Sequence, residues 1–121
     1  MRARHGAART TTPVFDKAAM LERLMGDEDL AKEIMALSLD DIPRHIRALK
    51  DFVEAGDVPG IEYQAHTIKG ASANVGGEAL CEVAFEMEEA GKAGDLSTAK
   101  GRMAELEAQF DRLKEAMEKD L

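Results

Sequence analysis

Apolar residues in this chain recur at spacings of three and four, the interval of one helical face, and nowhere does a strand-like alternation appear. The clearest repeat, Met35, Leu39, Ile42, Ile46, Leu49 and Val53, predicts a long helix from Asp27 to about Ala55. Its first half carries an adjacent stripe, Leu30, Ile34 and Leu37, so the apolar face is wider than one neighbour covers. Part of it should lie under the preceding helix, and the exposed remainder is available to a partner. Pro43 falls inside this helix and removes the bond its N–H would give to the carbonyl of Leu39, so a bend is expected. Upstream, Asp16 can cap a short helix running to Met25, with Ala19, Met20 and Leu24 turned inward and Gly26 ending it. Downstream, Asp57 caps a third helix with Pro59 in its first turn, and Gly76-Gly77 stops it. A fourth helix, from about Glu78 to Ala93, buries Leu80, Val83, Ala84 and Met87; Phe85 is expected to complete the core, and Glu82, Glu86 and Glu89 to face water. Asp95 caps the last, in which Leu96, Ala99, Met103, Leu106, Phe110, Leu113 and Met117 keep the same spacing.

Four long helices joined by short turns predict an all-α fold, an antiparallel up-and-down four-helix bundle with an additional short N-terminal helix across one end. The sustained spacing favours crossing angles near about 20°. A two-chain coiled coil through the last helix is the structural alternative, less economical because each helix already has neighbours in its own chain. Residues 1–12 carry Arg2, Arg4 and Arg9, no acid, and a threonine run closed by Pro13, and read as a disordered basic tail ahead of a domain spanning 13–121.

Composition narrows the function classes. A length of 121 residues suits one domain, and a net charge of -8 with 24 acidic residues disfavours nucleic acid as a partner. Taking the tail's 3 arginines from the 16 basic residues leaves 13 against 24, so the domain alone carries -11. No apolar run is long enough to cross a membrane, and the arginines at the start lead into threonines instead of a signal-like apolar core. A single cysteine, Cys81, excludes a disulfide framework and suits a reducing cytoplasm; its apolar neighbours mark it as a small core residue.

The third helix holds the candidate chemistry. With about 100° per residue, Ile61, Ala65, Ile68, Ser72 and Val75 form one narrow buried stripe. His66 then points about 140° from its centre, with Gly70 and Ala73 on the same outward side and Lys69 at the edge. A glycine inside a helix costs about 1 kcal/mol relative to alanine, so Gly70 is unfavourable unless its missing side chain lets another molecule approach. A neutral imidazole is a good nucleophile near neutral pH. A phosphoryl group on its ring would bring about two negative charges, which Lys69, one turn on, could screen. A metal site inside the bundle would need inward glutamates and Glu-x-x-His pairs. The close pair here, Glu62 and His66, faces outward, so no metal site is expected, and His5 and His45 read as surface residues. No glycine-rich loop follows a strand and no nucleotide-binding box appears, so autonomous ATP-dependent phosphorylation is not expected.

The run Ala65-His66-Thr67-Ile68-Lys69-Gly70-Ala71-Ser72-Ala73-Asn74-Val75-Gly76 resembles the signature of the histidine-containing phosphotransfer (HPt) domains of phosphorelays, Ala-His-x-Leu-Lys-Gly-Ser/Ala-Ser/Ala-x-Asn-x-Gly, with Ile68 in place of leucine as its one mild departure. Helix count and order from about Phe15 onward are similar as well. The resemblance implies that His66 accepts the phosphoryl group, that Lys69 supports it, and that Gly70 lets the partner approach; Ala73 and Glu62, on the same outward side, are further candidates for partner docking. It implies a carrier and not an enzyme: His66 takes the group through Nε2 from the aspartate of a response-regulator receiver domain and passes it to another. A hybrid sensor histidine kinase is a further possible partner. The chain itself would bind no cofactor, Mg²⁺ being expected in the receiver. A monomer is expected, and the initial methionine with no attached second domain favours a free-standing carrier. A segment cut from a larger hybrid or chemotaxis kinase would look the same. The alternative from another class is a helical adaptor that binds a receiver or kinase and carries no phosphate.

Overall fold

The computed structural model describes residues 12–121, all of whose regular structure is helical. Residues 1–11, which include His5 and nearly all of the expected tail, lie outside the described residues. The helices are α1 (Lys17–Arg23), α2 (Glu28–Ala55), α3 (Val58–Asn74), α4 (Glu78–Ala93) and α5 (Leu96–Glu118). Each long helix packs on the next and α5 returns to α2, which closes an up-and-down ring of four, while α1 lies against α2.

Start points follow from capping chemistry. Asp16, Asp27, Asp57 and Asp95 each accept the backbone N–H three residues on, at 3.0 Å, satisfying a donor the first turn leaves free. At the Asp95 cap, the Thr98 hydroxyl and then the Thr98 backbone N–H hold the carboxyl below its usual range. Gly56 and Gly94 close α2 and α4 in the left-handed conformation at φ 69°. Helix α2 continues unbroken through Pro43.

The N-terminal strand of chain before α1 is tied to the α3–α4 turn. Asp16 donates its N–H to the carbonyl of Gly76 at 2.8 Å, and Ala79 donates to the carbonyl of Pro13 at 3.0 Å. Arg23 donates to the carbonyls of Ala73 and Asn74 at the end of α3. Lys17 pairs with Asp120 at 3.1 Å and Glu28 at 3.2 Å, gathering the remaining helix ends at the same pole. Thr12, at the expected end of the tail, donates to Glu82 at 3.1 Å.

The core matches the stripes with local exceptions. Ile61, Ala65, Ile68, Ser72 and Val75 are fully buried, as are Met35, Ile42, Leu49, Leu80, Ala84, Met87, Leu106, Leu113 and Met117. Phe85 does not complete the core: it is 48% exposed, one position off the stripe, with the ammonium of Lys69 at 5.4 Å from its ring centroid. Leu39 is only half-buried, whereas Ala31, outside the predicted repeat, is fully buried. Cys81 is half-buried at the edge of a groove instead of being a core residue, and burial pushes its thiol up. His45 is likewise not a plain surface residue, because its Nδ1 lies 2.8 Å from the side-chain nitrogen of the buried Gln64. On the second stripe of α2, Leu37 stays 70% exposed, with Ile34 half-buried beside it.

Candidate functional site

His66 sits near the middle of α3 and projects outward, its side chain 66% exposed. Ala65 and Ile68, which flank it along the helix, are buried and hold that face down. The ring is not free to turn. Its Nδ1 lies 2.8 Å from Oε2 of Glu88 on α4, whose side chain is only 5% exposed. An ionised carboxylate has no hydrogen to give, so Nδ1 must carry the proton and donate it. Nε2 is then left with its lone pair in the plane of the ring, on the side away from the carboxylate.

Glu88 is a buried acid among cations. Lys69 places Nζ 2.7 Å from Oε1, an ion-pair contact whose direction departs from that of a well-aligned hydrogen bond, and Lys92 lies 3.9 Å from Oε2 and 3.3 Å from Glu89. Burial pushes the Glu88 carboxyl up, but the bonds from Lys69 and then from His66 outweigh it and hold the group below its ordinary value. Glu88 is therefore the anion that both lysines and the histidine share.

Gly70, one turn beyond His66, is exposed, and a Cβ built there meets nothing within 4 Å. Among the described residues there is no packing reason for a glycine at this position. Ala73 is exposed on the same side, and the half-buried Glu62 lines an open depression of about 400 Å³ beside His66 together with Pro59, Tyr63 and Glu88. The structure thus brings His66, Lys69, Gly70, Ala73 and Glu62 onto one face of α3. Among the described residues no cluster of three or more metal-ligating side chains is present.

Comparison with known proteins gives this face a family. The family model of the Hpt domain matches residues 33–116, which contain His66, Lys69, Gly70 and Glu88. The chain belongs to the Hpt domain family. This Hpt domain is 26% identical over 102 residues to the phosphorelay intermediate protein rdeA of Dictyostelium discoideum, a match that covers 84% of the chain but only 40% of that protein's length. It also superposes on the crystal structure of histidine-containing phosphotransfer protein B from Pseudomonas aeruginosa PAO1 with a TM-score of 0.83, at 24% identity, covering 91% of this chain and 96% of the other. The likeness in fold therefore spans nearly the whole bundle.

Two parts of the Hpt domain's site escape a reading of α3 alone. One is Glu88, where the visible signal was spacing: it follows Leu80 and Ala84 by successive fours, so an acid falls on a buried stripe. The other is Lys92, one turn further along α4. The acid that pairs with His66 comes from the neighbouring helix, Glu88, and not from its i, i+4 neighbour Glu62.

Proposed function

We propose that this Hpt domain carries a phosphoryl group on Nε2 of His66, taking it from the aspartyl phosphate of one receiver domain and giving it to the aspartate of another. The observation that carries the reading is the 2.8 Å contact between Nδ1 of His66 and the buried Glu88, which points the lone pair of an exposed ring outward. In the transfer, the Nε2 lone pair attacks phosphorus, the bond from phosphorus to the aspartate oxygen breaks, and its electrons return to the carboxylate. The ring becomes a phosphoimidazolium, still protonated at Nδ1. No proton has to leave, and the negative Glu88 steadies the positive charge that develops on the ring.

Lys69, paired with Glu88, and Lys92, paired with Glu89 at 3.3 Å and standing 3.9 Å from Glu88, supply positive charge for the three phosphoryl oxygens. Glu88 is a positioning residue, since it acts through the ring. Acidic ligands and Mg²⁺ are expected in the receiver, which would do the rest of the electrostatic work. A nucleophile standing proud of a rigid helix suits entry into another protein's pocket. Gly70 and Ala73 leave room for the approach, and the exposed Leu37 beside half-buried Ile34 on α2 offers apolar surface to the same partner. This is carriage and not autonomous kinase activity, and a cytoplasmic site of action goes with it.

The test is transfer of radiolabelled phosphate from a panel of prephosphorylated receivers to the wild type and to His66→Gln. An acid-labile, alkali-stable label on the wild type alone is expected. Labelling of both proteins, or of neither by receivers that bind, overturns the proposal.

A further inference from the structure

Helices α3 and α4 cross so closely at Gly91 that no side chain fits there. A Cβ on Gly91 would stand 2.8 Å from the backbone N of Glu62, 2.9 Å from its Cα and 3.0 Å from its Cβ. Two of these are main-chain atoms of a helix, which cannot swing aside as a side-chain tip can. The crossing lies one turn beyond Glu88 on α4 and one turn before His66 on α3. The two helices are antiparallel neighbours, so the Gly91–Glu62 contact and the Glu88–His66 hydrogen bond are consecutive rungs of one interface.

A hydrogen bond tolerates little lengthening: easing a Gly91 Cβ from 2.8 Å to an ordinary contact parts the helices by about 0.6 Å and stretches the 2.8 Å bond past the usual limit of about 3.2 Å. We infer that Gly91 is a positioning residue for His66: by letting α4 approach α3, it brings the buried carboxylate to Nδ1 and so fixes the tautomer that leaves Nε2 nucleophilic. The inference rests on the phosphohistidine reading for its effect on rate, but its effect on the tautomer stands apart from that reading. The other helical glycines differ in this respect. A Cβ at Gly70 or Gly101 meets open space, and at Gly60 it meets the ring of Phe52, a side chain.

The experiment compares the wild type with Gly91→Ala, Glu88→Ala and the double variant, all as the full chain. Nitrogen-15 NMR of labelled histidine reads the His66 tautomer, and phosphoramidate, which labels a nucleophilic imidazole with loss of ammonia and needs no protein donor, reads its reactivity. Gly91→Ala is expected to move His66 away from the Nδ1–H form and to slow labelling by about tenfold, the lower range of what loss of an orienting partner costs a metal-ligating histidine. The double variant should be no slower than Glu88→Ala, because Gly91 acts through Glu88. If Gly91→Ala melts too low, the same substitution is made with Gly101→Ala, where alanine meets open space in α5 and favours the helix. An unchanged tautomer, or slowing that adds to that of Glu88→Ala, overturns the role of Gly91 and leaves only a packing effect on melting temperature. A wild type that takes no label from phosphoramidate or from any receiver overturns the phosphohistidine reading instead.

Discussion

A single acid on α4 decides what the histidine on α3 can do, and its removal is the sharpest test of the site. Glu88→Gln keeps an oxygen that can accept from Nδ1 but removes the charge facing the ring, so phosphoryl transfer should slow by about tenfold, with the Nδ1–H tautomer retained by NMR. Acid should then separate the two proteins in a defined direction. Glu88 is held below its ordinary value, so the stability it contributes is fully present above the unfolded value of about 4.3 and is lost as pH falls through the lower folded value. The wild type should accordingly melt higher than Glu88→Gln at pH 7, and the two should converge only once the pH has fallen below that folded value. A constant difference across that range would mean that the carboxylate is not paired as described. Gly70 offers the opposite signature. Since nothing in the fold occupies its side-chain space, Gly70→Leu should raise the melting temperature through helix propensity, by about 0.5–1 kcal/mol, while transfer from receivers falls. Equal transfer rates for wild type and variant would remove the close-approach argument.

At the level of the helices, periodicity was enough to place every element and failed only where a residue answers to something outside its own helix. The buried stripe of α3 comes from spacing alone, because it depends on a face that repeats every turn, and the bounds of α4 come from the glycines at either end. Phe85 misled because its size argues for burial while its angle on α4 places it off the stripe, where it serves Lys69. Glu88 was hidden by the opposite conflict: its angle is inward, but an acid is read as solvated until the His66 ring and the two lysines around it, on two helices, are seen. Gln64 and His45 pair across α2 and α3 in a way neither helix reveals by itself. Two predictions belong here. Pro43 removes a bond inside the continuous α2, so Pro43→Ala should stabilise the fold by about 1 kcal/mol or more, read from the denaturant midpoint. Leu37→Glu should leave that midpoint unchanged, since the side chain is 70% exposed, and weaken receiver binding at least severalfold; unaltered binding would remove this part of α2 from the docking face.

Across the whole molecule, the fastenings and the reactive group are kept apart. Gly76 at φ 75° abuts the backbone of Asp16, where the chain before α1 is bonded to the α3–α4 turn. Any side chain there is strained and also displaces that chain, so Gly76→Val should cost about 2 kcal/mol or more. Because the turn lies ten residues along α3 from His66, the molecules that remain folded at low temperature should still accept phosphate at the wild-type rate. Loss of both together would show that the pole and the site are coupled. The exposure of the ring has a further consequence, in time instead of space. Among the described residues nothing closes over the 66% exposed ring, so on the proposed reading a group parked on Nε2 would meet water between encounters as freely as it meets a receiver. Hydrolysis would then run as a clock against delivery, and the message would fade unless acceptors were abundant enough to arrive first. How long a signal persists would then be set by the concentration of listeners.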